Sequence, residues 1–195
     1  MSNWKTTPLT FYNNKITCDE TGSAFFDAEV MMDWEDPIMS ASSAYITEGG
    51  GDILEVGFGM GISANYIQSH NISSHTIIEN HPQVIEKAIE WSKDKSNVTI
   101  ISESWYDVRD SLETYDGILF DTYGDEDMCY FSSSLSSWCK PGARVTWWNN
   151  EYEDNNFYNI PDVTYKEIDI IPEPNNYFTG SKVYYMPMKK NKKKA

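Results

Sequence analysis

Five short apolar runs punctuate the middle of the chain: "DILEV" (52–56), "HTIIE" (75–79), "VTII" (98–101), "YDGILFD" (115–121) and "ARVTWW" (143–148). Each has the length of a buried strand bounded by turn signals. Between them, 61–70, 82–91, a short segment at 106–112 and 127–138 read as helices, and Pro82 suits a first helical turn. "KPG" (140–142) reads as the turn before the fifth strand. This alternation predicts an α/β fold with a mostly parallel sheet. Two later segments, "VTYKEIDII" (163–171) and "KVYYMPM" (182–188), predict an antiparallel pair closing the sheet. The polar stretch 149–162 leaves little room for a crossover helix.

Length and charge narrow the picture. The 195 residues suffice for one domain with a sizeable core. No run approaches the ~18 apolar residues of a membrane span. The start, "MSNWKTTPLT", has no basic segment followed by an apolar one, so no secretion signal is expected. Cys18, Cys129 and Cys139 lack metal-type spacing and read as free thiols of a cytoplasmic protein. His70, His75 and His81 show no ligand spacing either, so no metal is expected. The formal net charge is -15, and residues 189–195 hold five of the fifteen basic side chains. An acidic body disfavours nucleic acid and suits a cationic partner, although solubility alone also explains it. The lysine-rich end reads as a disordered tail.

The first apolar run leads into "LEVGFGMGI", with Gly57, Gly59 and Gly61 between a strand and a helix. Such a turn lets backbone approach a ligand closely. The dinucleotide fingerprint needs a third glycine at position 62, which is Ile62. S-adenosylmethionine, lacking a pyrophosphate, does not need that spacing. Glu79 ends the second run, where an acid can accept both hydroxyls of a ribose. A nucleoside-type ligand follows; a structural turn with a solvated glutamate is the plain alternative. Ser104 and Trp105 follow the third run, where this fold usually cups an adenine; Trp105 also suits a core position.

One stretch resists a plain helical reading. "VMMDWEDPIM" (30–39) interleaves three methionines and a tryptophan with three acids, and places Pro37 after Asp36. Together with "ILEVGFGMGI", "IIENHP", "ESWYDV", "YDGILFDTY" and "KPG", in this order, it resembles guanidinoacetate N-methyltransferase and the fungal type IV protein arginine N-methyltransferase. The resemblance runs from about Tyr12 to Met188, and "MMDWE" and "ENHP" lean toward the arginine enzyme. It implies a class I methyltransferase sheet, strand order 3-2-1-4-5-7-6, with helices on both faces. It implies one domain over 1–188: an N-terminal lid segment and helix at 1–48, then a Rossmann-like core at 49–188. The implied cofactor is S-adenosyl-L-methionine.

Carried over residue by residue, Met31 and Met39 would line the cofactor. Gly57, Phe58, Gly59, Met60, Gly61, Ile62 and Ser63 would form its loop. Glu79, Asn80 and His81 would hold the ribose and flank the adenine, with Ser104 and Trp105 at the base. Glu35 would grip a guanidinium, and Asp121 would stand between cofactor and substrate. The chemistry suits these types. A guanidinium is a poor nucleophile, with one delocalised charge and a pKa above ~12. Two carboxylates can clamp the planar fork, and one can take a proton as the N–C bond forms.

The pattern departs after the fifth strand. Where guanidinoacetate methyltransferase binds the substrate carboxylate, this chain has "WWNNEYED", placing Asn150 and Glu151 there. A glutamate beside a carboxylate repels it. A substrate with a cationic or neutral tail, such as an arginine of a basic protein, fits better than guanidinoacetate. Two alternatives stay open: a class I methyltransferase for another small amine, and a protein that binds S-adenosylmethionine without turnover.

Overall fold

The computed structural model describes residues 4–18, 28–123, 125, 127–149, 158–174, 178 and 181–192. Seven strands form the main sheet: β4 (Asp52–Val56), β5 (Ser74–Ile78), β6 (Val98–Ile101), β7 (Tyr115–Phe120), β8 (Cys139–Trp147), β9 (Val163–Asp169) and β10 (Val183–Lys190). Their order is β6-β5-β4-β7-β8-β10-β9, which numbered within the sheet is 3-2-1-4-5-7-6. The first five run parallel, and β10 lies antiparallel to both β8 and β9. Helices α2 (Ile62–Ser69), α3 (Pro82–Ser92), α4 (Trp105–Val108) and α5 (Phe131–Trp138) connect the parallel strands.

Side-chain alternation divides the core. Leu54, Val56, Ile118 and Phe120 point to one face, joining Trp105, Phe131 and Trp138. Ile53 and Leu119 point to the other, under Ile46 of α1 (Asp36–Thr47) and Ile67 of α2. Chain order reverses at β4, which pairs with β5 on one side and β7 on the other. Such a switch point opens a crevice at the carboxyl ends of the strands, where open α/β sheets bind ligands.

Three features differ from the sequence reading. "KPG" is not a turn ahead of the fifth strand but part of β8; pairing jumps from Tyr115↔Cys139 to Gly117↔Arg144, so these residues bulge the strand. Lys189 and Lys190 are not tail residues: Lys189 pairs with Val145 and Val163 on its two sides. The ladder needs only their backbone, and a lysine stem can lie along a sheet while its ammonium stays wet. A separate antiparallel sheet, absent from the sequence reading, precedes the core: β1 (Leu9–Phe11), β2 (Lys15–Cys18) and β3 (Ala28–Met32), in that order. β3 runs through a 3-10 turn at Asp33–Glu35 into α1, with Pro37 in its first turn.

Candidate functional site

The loop after β4 is shaped by its glycines. Gly57 has φ +93°, and a Cβ there would sit 1.8 Å from the carbonyl oxygen of Asp121. The loop and the end of β7 therefore touch backbone to backbone. Gly59, at φ +53°, leaves room for Met31 Sδ, which a Cβ would approach to 2.4 Å. The same sulfur accepts the Met60 N–H at 3.1 Å. Met31 is thus seated on the loop. Met39 lies deeper, in an apolar cluster with Met31, Met32, Trp34 and Ile38. Ile62 and Met60 pack against that cluster, and Gly61 stands at the head of α2.

Glu79 follows β5 and is buried. One carboxylate oxygen accepts the Phe58 N–H at 3.0 Å; the other accepts the Asn80 and His81 N–H groups, both at 2.8 Å. Glu79 therefore locks the glycine loop to the next strand end. Three donors leave part of a carboxylate's four lone-pair sites open, enough for a ribose hydroxyl. The Phe58 ring turns away from the crevice toward Trp91 of α3, 5.4 Å between centroids. Trp4 leans over the same strand end. Its indole N–H donates to Asn80 Oδ1 at 3.0 Å, and its ring lies 4.9 Å from His81 and 5.0 Å from Tyr123. His81 Nε2 meets the Thr7 carbonyl at 2.9 Å, while its buried Nδ1 has no protein partner. A carboxylate, a glycine loop and an orphaned ring nitrogen at one strand end fit a nucleoside with its diol and base.

Ser104 and Trp105 are placed differently. Ser104 caps α4, accepting the Tyr106 N–H. Trp105 is 3% exposed, packed edge-on against Phe120 and Trp138, and its indole N–H donates to Asp125 Oδ2 at 2.7 Å. Its position is a core position. Asp125 also accepts the Asp127 N–H, so it is tied to the local turn.

Asp121 lies just past β7, its N–H donated to the Val56 carbonyl at 2.9 Å. Burial and then the neighbouring Glu55 charge raise its carboxyl from 3.8 to about 7. Glu35 is 3% exposed, and its Oε1 accepts the Met32 N–H at 3.1 Å. Strand β3 and the 3-10 turn thus fold this acid inward. Both acids act electrostatically on a residue that sequence reasoning missed. Tyr184 of β10 is fully buried, and its hydroxyl accepts the Asn149 N–H at 2.7 Å. Burial holds its phenol well above the usual range, and Asp121, Glu35 and Tyr158 raise it further. Alternation in "KVYYMPM" marks Tyr184 and Met186 as one face, but nothing in the sequence pairs that face with Glu35. Asn150 and Glu151 lie outside the described residues.

A second unforeseen group is Glu55, the acid inside "DILEV". It is 0% exposed, accepts a hydrogen bond from Ser63 Oγ, and lies 3.0 Å from His75 Nε2. Its place two residues before Gly57, in an otherwise apolar strand, was the available signal.

Residues 2–140 match the family model described as guanidinoacetate N-methyltransferase. "Protein arginine N-methyltransferase 2" of Kluyveromyces lactis is 36% identical over 133 residues, covering 62% of this chain and 32% of that protein. The protein of the same name from Saccharomyces cerevisiae is 31% identical over 153 residues, covering 71% and 36%. The chain therefore spans about a third of the length of the curated relatives it matches. Among solved structures, spermidine synthase from Thermotoga maritima shares the fold at TM-score 0.64 and 13% identity, covering 94% of this chain and 72% of that one. Precorrin-6y C5,15-methyltransferase from Geobacter metallireducens does so at TM-score 0.63 and 12% identity, covering 80% and 87%. With a matching model over well more than half its length, the chain belongs to the guanidinoacetate N-methyltransferase family.

Proposed function

We propose that the chain transfers a methyl group from S-adenosylmethionine to a guanidino nitrogen, with an arginine side chain as the favoured acceptor. The observation that carries this reading is Asp121 at the carboxyl end of β7, its backbone against the glycine loop, with Glu35 a second acid folded inward through Met32. Two carboxylates can grip both edges of a guanidinium fork. When bound, S-adenosylmethionine supplies an electrophilic methyl on a sulfonium. Glu79, the glycine loop and Met31 would hold it, with Asn80 and His81 toward the base. Glu35, fixed through Met32, anchors the guanidinium and decides which nitrogen faces the methyl. Asp121 takes the proton that this nitrogen releases as the N–C bond forms and the S–C bond breaks. A carboxyl raised to about 7 is matched to that task near neutral pH.

The net charge of -15 and the relatives named protein arginine N-methyltransferase 2 support an arginine in a basic protein over guanidinoacetate. The test is transfer of labelled methyl to guanidinoacetate, free arginine and an arginine-rich peptide, with Asp121→Asn beside the wild type. Label on the peptide, lost in the variant, is the expected result. Label on none of the three, with cofactor bound, refutes the reading.

A further inference from the structure

Glu55 and His75 are buried ionisable groups for which the clamp has no role. The strand register shows where they point. β4 pairs Glu55 with Leu119 of β7, and Ile53 with His75 of β5. Side chains alternate, so Glu55, His75 and Asp121 share the sheet face covered by α1 and α2. Glu55 and Asp121 are diagonal neighbours across β4 and β7. Both Glu55 and His75 are sealed from solvent, with side-chain exposure of 0% each.

The hydrogen bonds set the direction of the chain. Gln68 Nε2 of α2 lies 3.2 Å from His75 Nδ1, and an amide nitrogen only donates. Nδ1 therefore accepts, and the ring proton sits on Nε2, aimed at Glu55 Oε2 at 3.0 Å. Ser63 Oγ donates to the other oxygen, Oε1. The Ser43 hydroxyl of α1 in turn donates to the Ser63 carbonyl at 3.2 Å, fixing this turn of α2. Trp91 of α3 closes the outer side, its ring edge-on to His75 at 6.3 Å. Glu55 thus receives a donor on each oxygen in a dry site, the arrangement that a carboxylate anion requires.

We propose that the Gln68–His75–Glu55–Ser63 chain holds a fixed negative charge beneath the glycine loop, directed at Asp121, and that His75 is a positioning residue acting through Glu55. This rests on the proposed transfer only for its consequence in turnover; the charge-holding itself does not. A buried carboxylate diagonal to the proton acceptor, across β4 and β7, opposes ionisation of Asp121 by like-charge repulsion. Among the described residues, Tyr184 of β10 and Tyr158 ahead of β9 also feel the Asp121 charge; both stay protonated at neutral pH, raised chiefly by burial. Asp125 acts on Tyr158, and Glu35 reaches the same Tyr184. Glu55 is the carboxylate that shares the sheet face of Asp121 across adjacent strands.

The experiment is an NMR titration of the Asp121 carboxyl carbon in the intact chain, without substrate. Glu55→Gln should move its midpoint down by about one pH unit, the size that a like charge nearby exerts through protein. His75→Met, which keeps volume but removes the donor, should move it the same way by less. His75→Gln, which returns an N–H near the Nε2 position, should restore it. Nitrogen NMR of the wild type should show His75 as the Nε2–H tautomer. An unmoved Asp121 midpoint in folded Glu55→Gln and His75→Met, or the Nδ1–H tautomer, overturns the proposal. Where either variant fails to fold, Ser63→Ala removes the other donor and is read the same way. In an active enzyme, the acid limb of the kcat profile follows the Asp121 midpoint downward. If no guanidino compound is methylated but the midpoints move as stated, the charge-holding stands and the transfer reading falls.

Discussion

Replacing Asp121 by asparagine should sharply slow transfer and stabilise the fold. Burial and Glu55 hold this carboxyl at about 7 rather than 3.8. An acid whose folded value is raised resists ionisation in the native state. Its contribution to stability therefore declines as pH rises from about 4 to about 7, and is level above. Fully expressed, the difference is roughly 4 kcal/mol, at about 1.4 kcal/mol per pH unit. Asp121 keeps part of its surface open to solvent, which screens the charge, so about 1–3 kcal/mol is the expected gain. At about 2–4 °C per kcal/mol for a domain of this size, that is roughly 2–12 °C in Tm. Urea unfolding of wild type and Asp121→Asn at pH 4, 6 and 8 reads it directly. The variant should be the more stable at pH 8, with the gap shrinking toward pH 4. In parallel, kcat should fall about 10²–10⁴-fold, the usual worth of a positioned base. A variant no more stable than wild type at pH 8, or a gap independent of pH, would refute the assigned strain on this carboxylate.

Other perturbations follow from the same geometry. Glu79→Ala strips the acceptor from the Phe58, Asn80 and His81 amides, and should weaken S-adenosylmethionine binding at least about tenfold, or ~1.4 kcal/mol, by calorimetry. Tyr184→Phe leaves the buried Asn149 N–H without its phenol acceptor, and should lower unfolding stability by about 1–3 kcal/mol. It should also raise KM for the guanidino substrate more than it changes cofactor affinity; equal loss of both would argue against a substrate-side role. Gly59→Ala places a Cβ against Met31 Sδ at a left-handed backbone position, and should lower cofactor affinity and stability by about 1 kcal/mol or more. Unchanged binding would mean that Met31 does not shape the cofactor loop.

Some of this protein is written locally. Strands at 52–56 and 98–101 coincide with their apolar runs, because a short run between turn residues has few other ways to bury itself. The glycine turn and Glu79 stand where their neighbours in sequence put them, and the sheet order follows from short, right-handed connections. Family resemblance added Glu35 and Asp121, which no periodicity pairs. Tertiary structure decided the rest. The β1–β3 sheet escaped notice because its strands are short and take their burial from the body they cover, through Leu9, Ile16 and Cys18 beside Phe58 and through Met31 on the glycine loop. Trp105 went to the core because Phe120, Trp138 and Asp125 meet it there, and those partners come from three other parts of the chain. Glu55 reads as the one polar letter inside an apolar run until β5 and α2 bring His75 and Ser63 to its two oxygens. A side chain's type and strand position are properties of sequence. Its partner, its burial and therefore its charge state are decided only when distant segments pack.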